Sequence, residues 1–74
     1  MKMKKRKMWT GEIPKICDVC HGPIANVFFD GATRQGPWAI MCLACHEAVG
    51  VGLGTGTGQE FWRGDDGNFY KVEG

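Results

Sequence analysis

Cys17-Asp18-Val19-Cys20 and Cys42-Leu43-Ala44-Cys45 are two Cys-x-x-Cys pairs separated by 21 residues. Each pair can close a tight turn around a metal ion, and two pairs together supply the four thiolates of a tetrahedral zinc site. The separation is one residue longer than the usual range of about 15–20 residues. The spacing therefore predicts one structural Zn²⁺ bound by Cys17, Cys20, Cys42 and Cys45.

The length and composition indicate that the fold needs such a metal. Seventy-four residues make a single domain with a small core, and the twelve glycines increase the entropy lost on folding. A zinc ion offsets that loss, because apparent binding free energies reach about 10–16 kcal/mol in zinc-finger peptides. We therefore expect the metal-free chain to be largely unfolded.

The start of the sequence argues against the alternative that the cysteines form two disulfides in an exported protein. Residues 1–9 are basic, but Thr10-Gly11-Glu12 follows where a signal peptide has its apolar segment. No apolar run approaches the roughly 20 residues that cross a bilayer. We expect a cytoplasmic protein without membrane association, in which the cysteines stay reduced and bind metal.

Charge is distributed unevenly along the chain. Five of the nine basic residues lie in the first seven positions, and the remaining four face eight acidic residues, a formal charge of −4. Four thiolates around Zn²⁺ add a further −2 to this body. We predict a flexible basic arm at residues 1–12 and one zinc-binding domain at residues 13–74. Since basic arms attract phosphates, the candidate nucleic-acid contacts are Lys2, Lys4, Lys5, Arg6 and Lys7.

The segment between the two cysteine pairs predicts a β-hairpin. Residues 24–29 are typical of a strand, and Asp30-Gly31 is the strongest hairpin-turn signal in the chain. Gly36-Pro37 is a second turn signal, and residues 38–41 then run straight into the second pair. Such a hairpin brings both pairs to the same end, where they can share one ion.

The residues after the second pair decide between two metal-stabilised folds. Residues 45–49 favour a short helix ending at Gly50, with the second pair at its N-terminus, where free N–H groups favour thiolates. With that helix the fold is a treble clef, and with an extended segment it is a zinc ribbon. Both are small α+β domains with β-hairpins and at most one short helix.

After the first pair, we expect Gly22 to adopt the positive φ that directs N–H groups at the thiolates.

The C-terminal third combines a glycine repeat with aromatic residues. From residue 50 to residue 58 every second residue is glycine, so an extended chain would present one bare face. The same segment can also be a flexible loop across the core. Residues 59–63 and 68–72 flank a Gly/Asp turn and predict a terminal hairpin. We expect its aromatic side chains to form the core, with any exposed subset available to a partner.

Linked motifs surround the cysteines over residues 17–61. They are Cys17-x-x-Cys20-x-Gly22-Pro23-Ile24, Phe29-Asp30-Gly31-x-Thr33, Gly36-Pro37-Trp38-Ala39-x-Met41-Cys42-x-x-Cys45-His46 and Gly50-Val51-Gly52-Leu53-Gly54-Thr55-Gly56-x-Gly58-Gln59. Together they resemble small uncharacterised zinc-ribbon proteins encoded by bacteriophages. The resemblance implies a phage origin and expression in a bacterial cytoplasm, and it implies no activity.

Each cysteine pair is followed by a histidine, as in the signature of c-type haem attachment. A dihaem cytochrome, however, requires export, and ligation of two haems by histidine pairs requires more than His21 and His46. Four cysteines complete a tetrahedral zinc site and leave no position for a catalytic water. We therefore expect the histidines to make contacts beside the site or at the surface. We also expect that the protein is not an enzyme and has no small-molecule substrate.

Two binding functions agree with this pattern. The first is a phage accessory protein associated with nucleic acid or its processing machinery. In it the basic arm would contact phosphates, and exposed aromatic side chains would stack on bases. The second is an adaptor or inhibitor of a host machine such as the transcription apparatus, in which the acidic body meets a basic surface. The arm favours the first function and the body favours the second.

Overall fold

The structure, a computed structural model, describes residues 6–74. These residues form one antiparallel sheet of four strands in the spatial order β2-β1-β3-β4, together with one short helix. No helix in this part of the chain is long and apolar enough to cross a membrane. In chain order the elements are β1 (Val27–Ala32), β2 (Trp38–Met41), α1 (Leu43–Val49), β3 (Gly58–Arg63) and β4 (Phe69–Glu73). The domain is thus a small α+β unit, as predicted.

The first hairpin is longer than the sequence predicts. Asp30-Gly31 lies inside β1, paired with β2, so the prediction of a turn there is wrong. The chain turns at residues 33–37 instead, where Gly36 has a φ of 110°. Gly31 is needed for space, because a Cβ there would lie 2.8 Å from the Cα of Gly58 on β3. A glycine within a strand here marks a close approach of two backbones.

The sheet has two buried clusters, one on each face. Adjacent residues of a strand point to opposite faces, and both Phe28 and Phe29 of β1 are buried. On one face, which we call the cysteine face, the buried cluster consists of Cys17, Phe29 and Met41. On the other, the aromatic face, it consists of Phe28, Phe61 and Phe69. Strand β1 therefore belongs to both clusters.

The chain before residue 13 adds a short fifth segment to the sheet. The N–H of Trp9 donates to the carbonyl oxygen of Phe69, and the N–H of Lys71 donates to that of Lys7, both at 2.8 Å. The Trp9 ring packs edge-on against Phe28 on the aromatic face, with ring centroids 5.1 Å apart. Residues 7–9, which the sequence analysis placed in the arm of residues 1–12, are thus paired with β4. Residues 1–5 of that arm lie outside the described part of the chain.

The glycine-rich segment contains a bend at residue 53 and a turn at residues 55–57. The extended conformation considered from its alternating pattern is therefore wrong. Gly52, Gly54 and Gly56 have φ values of 123°, 130° and 83°, which belong to the left-handed region. The N–H groups of Thr57 and Gly58 both donate to the carbonyl oxygen of Gly54, at 3.1 Å. These bonds turn the chain back into β3 beside β1.

The terminal hairpin of β3 and β4 has the predicted position. Its two strands pair in antiparallel fashion with a bulge between Glu60 and Phe61. Three of its four aromatic side chains are buried and one, Trp62, is 48% exposed. The expectation of a core role holds for the buried three, Phe61, Phe69 and Tyr70.

Candidate metal centre

The four predicted ligands converge at one end of the sheet. Their Sγ atoms all lie within 4.8 Å of one another, and those of Cys20 and Cys42 are 3.8 Å apart. A tetrahedral site with Zn–S bonds of about 2.3 Å places its sulfurs about 3.8 Å apart. A disulfide would need about 2.05 Å. The cysteines are therefore arranged to hold a metal ion, and no other group of this kind occurs among residues 6–74.

The first pair lies in a tight turn whose backbone points at the sulfurs. The N–H of Val19 donates to Cys17 Sγ and the N–H of Gly22 donates to Cys20 Sγ, each at 3.4 Å. The positive φ is at His21, with a value of 62°, and Gly22 does not have one, which corrects the prediction. Gly22 is required for a different reason, because a Cβ there would lie 3.3 Å from Cys20 Sγ.

Asp18 attaches this turn to the edge of the sheet. Its backbone N–H donates to the carbonyl oxygen of Ile40 at 2.8 Å, and its carboxylate accepts the N–H of Ile40 at 2.9 Å. Ile40 lies on β2, two residues before Cys42, so these bonds fix the first pair relative to the second. The sequence pattern gives no sign of this role, since Asp18 occupies a variable position of the Cys-x-x-Cys spacing.

The second pair is positioned by the start of α1. Cys42 has an extended backbone immediately before the helix, and its carbonyl oxygen accepts the N–H of His46 at 2.9 Å. Cys45 follows within the first helical turn, so its side chain comes near that of Cys42. The helix ends at Gly50, whose N–H donates to the carbonyl oxygen of His46. The predicted short helix after β2 is confirmed, with the second pair at its N-terminus.

The four thiols differ in burial and in acidity. Cys17 is fully buried, whereas Cys20 is exposed. Burial alone would raise the pKa of Cys17, but the N–H groups of Cys20, Cys42 and Val19 outweigh it and lower the pKa to about 6. Burial and hydrogen bonds with the neighbouring cysteines raise the pKa of Cys45 to about 12. Without a cation the cluster thus holds protons that a bound metal must displace.

His46 contacts the cysteine face beside the candidate site. Its ring stacks on Phe29 with centroids 4.2 Å apart and planes 6° apart, and its Nε2 lies 3.3 Å from the carbonyl oxygen of Gly52. A Cβ at Gly50 would lie 2.5 Å from the His46 ring. The histidine therefore links α1 to β1 and to the glycine-rich segment. Neither His46 nor His21 belongs to the group of candidate metal ligands.

The predicted nucleic-acid contacts are not part of this centre. Lys2, Lys4 and Lys5 lie outside the described residues. Arg6 and Lys7 lie along β4, at the edge of the sheet opposite to β2 and the second cysteine pair. The structure therefore places Arg6 and Lys7 at the edge of the sheet opposite to the second cysteine pair.

Comparison with known proteins identifies no relative of this chain. No family model, no curated protein and no solved structure matches the chain.

Proposed function

We propose that this chain is a non-catalytic binding module whose fold is held by one structural Zn²⁺. The observation that carries the proposal is the convergence of four cysteine sulfurs within 4.8 Å from two separate parts of the chain. Thiolate sets of this kind are typical of structural zinc. The zinc would act as a cross-link between the turn of the first pair, β2 and α1.

The geometry also supports a treble-clef architecture and a role outside catalysis. The order of elements is a cysteine turn, a β-hairpin and a helix that begins at the second pair. Four protein ligands fill a tetrahedral zinc shell, which leaves no position for a reacting water or substrate. The backbone N–H bonds to Cys17 and Cys20 support their thiolates in the same way as in structural sites.

Metal content and metal removal test this proposal. Native mass spectrometry should find one zinc per chain in the wild-type protein and none in a Cys17→Ser/Cys45→Ser variant, while His46→Ala keeps its zinc. Chelation should abolish the dispersed NMR spectrum, because the small core cannot replace about 10–16 kcal/mol of metal binding. A dispersed spectrum that persists without metal, or a loss of zinc in His46→Ala, would contradict the assignment.

A second candidate function is association with nucleic acid, favoured by the basic edge of the sheet. Lys7 lies in register with Lys71 of β4, so two lysines are neighbours across the strands. Like charges in such positions destabilise a sheet unless an anion lies nearby. Arg6 precedes this pair, and Lys2, Lys4 and Lys5 precede Arg6 in the sequence. The resemblance to phage zinc-ribbon proteins supports placing this module in an infected bacterial cell.

The salt dependence of DNA binding tests the second candidate. For duplex DNA, each phosphate contact contributes about 0.9 to the slope of log K against log salt. Lys4→Gln/Lys5→Gln should therefore lower the slope by about 2, as measured by fluorescence anisotropy. Lys15→Gln/Arg34→Gln is the matched control, because it removes two charges from the body. Equal effects of the two variants, or no binding by the wild-type chain, would reject this function.

A further inference from the structure

Half of the cysteine face lies away from the helix. The helix α1 packs mainly on β1 and β2. The β3–β4 half beside them, which we call the open half, exposes some of its side chains, although Tyr70 is buried there. Residues directly opposite each other in a sheet share a face, and the pairing places an apolar row across this half. Two of its members are largely exposed, Trp62 at 48% and Met8 at 43%. The complete row is Val27, Trp62, Tyr70 and Met8.

Two carboxylates lie directly beside this row. Glu60 of β3 is paired with Glu73 of β4, so their side chains are neighbours on the same face. The indole Nε1–H of Trp62 donates to Oε2 of Glu60, which fixes the orientation of the exposed ring. Like charges in directly opposed positions destabilise a sheet, and a cation between them removes that repulsion. The patch thus combines a fixed aromatic ring with paired negative charges.

The positive groups around the patch lie at its margin. The Arg6 guanidinium lies 3.5 Å and 3.4 Å from the carbonyl oxygens of Lys71 and Val72, along the outer edge of β4. Lys71 is paired with Phe61 and therefore points to the aromatic face, and its Nζ donates to the carbonyl oxygen of Gly74. The formal charge of residues 8–74 is −4. The open half of the cysteine face therefore complements a basic partner.

We propose that this patch binds an exposed arginine-bearing segment of a partner protein, with a guanidinium on the Trp62 indole between Glu60 and Glu73. Arginine fits these groups better than lysine, because its planar guanidinium stacks on aromatic rings and donates in a fork to carboxylates. The interaction goes beyond the proposed function and requires only that the domain is folded.

The experiment uses the zinc-loaded full chain and an acetylated, amidated Gly-Arg-Gly-Arg-Gly peptide. In an extended segment, arginines two residues apart point to the same side, so either arginine of the peptide can reach the patch. Titration followed by NMR should shift the Trp62 indole resonance and the backbone amides of Glu60 and Glu73. The same peptide with citrulline in place of arginine, which has the same shape without the charge, should shift none of them.

Matched variants separate this site from general attraction to an acidic protein. Trp62→Ala should weaken peptide binding about two- to fivefold, as expected for an exposed cation–π contact, whereas Trp38→Ala, an equally exposed tryptophan on β2, should leave it unchanged. Glu60→Gln/Glu73→Gln should weaken it about two- to tenfold, and Glu12→Gln/Glu47→Gln less than twofold. Glutamine at residue 60 still accepts the indole N–H, so this variant also tests charge with the ring orientation retained.

Three results would overturn the proposal. The first is equal weakening by the two tryptophan variants or by the two glutamate pairs, with folded spectra for all. The second is binding of the citrulline peptide with the same affinity. The third is a shift of the Trp62 indole with protein concentration that disappears when residues 1–5 are deleted, because the occupant is then the basic segment of a second copy.

Discussion

The two faces of the sheet are stabilised by different means. On the aromatic face, Trp9, Phe28, Phe61 and Phe69 form a continuous group with ring centroids 4.9–5.2 Å apart. On the cysteine face, the buried cluster is only Cys17, Phe29 and Met41, and one of its three members is a candidate metal ligand. The first face is held by side-chain packing, whereas we expect the second to depend on a metal bound by its cysteines.

This difference explains why so small a chain combines an aromatic core with a cluster of cysteines. Each aromatic pair contributes about 0.5–1.5 kcal/mol beyond the area that it buries, and such pairs are concentrated on one face. The turns and the short helix of the other face have little apolar surface and many ordered glycines, so packing alone does not offset their entropy. Strand β1 joins the two faces, since Phe28 and Phe29 are consecutive residues with opposite directions.

The largest single-residue effect is expected on the aromatic face. Phe28→Ala removes a fully buried ring and should lower the free energy of unfolding of the zinc-loaded protein by about 3–5 kcal/mol. Urea denaturation with excess zinc measures this loss, and Trp38→Ala, an exposed ring, should change the free energy by less than about 0.5 kcal/mol. Phe28→Ala should still bind one zinc. A loss below about 1 kcal/mol would show that the aromatic face contributes little.

The same contrast shows what the sequence could predict. Metal-ligand spacing is a local pattern, and it predicts the four cysteines. Residues 45–49 before Gly50 predict the helix after the second pair, and the hairpin between the pairs predicts that they meet. Spacing does not report which backbones approach closely. The Asp30-Gly31 pattern therefore predicts a turn, although Gly31 is a strand residue facing Gly58. The turn of the hairpin is at Gly36, where the backbone itself requires a positive φ.

Contacts between distant parts of the chain also could not be predicted from the sequence patterns. The pairing of residues 7–9 with β4 depends on Trp9 reaching Phe28 and Phe61, which no local pattern indicates. Alternating glycines suggested an extended segment, yet the positive φ of Gly52 and its neighbours produces turns. The stacking of His46 on Phe29 likewise joins residues from two elements. Periodicity describes one element at a time, whereas these features arise when elements meet.

A smaller effect is expected at the junction between the metal centre and the cysteine face. His46→Ala removes a ring stacked on Phe29 and a contact with the Gly52 carbonyl, so the free energy of unfolding should fall by about 1–3 kcal/mol. Hydrogen exchange should become faster in the glycine-rich segment, residues 50–58, by a larger factor than in the aromatic cluster, where it reflects only the fall in global stability. The control is a substitution of the other histidine, His21. His21→Asn is the suitable variant, because His21 has a positive φ of 62° and asparagine adopts such a φ with less strain than alanine. Equal exchange in His46→Ala and wild type would show that the ring does not hold this segment.

The smallest effect concerns the turn between β3 and β4, far from the cysteines. The hydroxyl of Tyr70 donates to the carboxylate of Asp66, and this bond, assisted by burial and by the negative charge, raises the pKa of Tyr70. A raised pKa in the folded state means that this stabilisation is fully present below the pKa of about 10 of an unfolded tyrosine. It is lost as the pH rises through the folded value.

Tyr70 is the only tyrosine of the chain, so the ultraviolet absorbance of phenolate reports its titration alone. The midpoint in the zinc-loaded protein should lie above about 10. Asp66→Asn keeps an acceptor oxygen but removes the charge, so the midpoint should move down towards that value. Asp65→Asn, one residue earlier in the same turn, is the control and should leave it in place. A shift of the same size in both variants would mean that the general negative charge of the turn, rather than the bond to Asp66, sets the pKa of Tyr70.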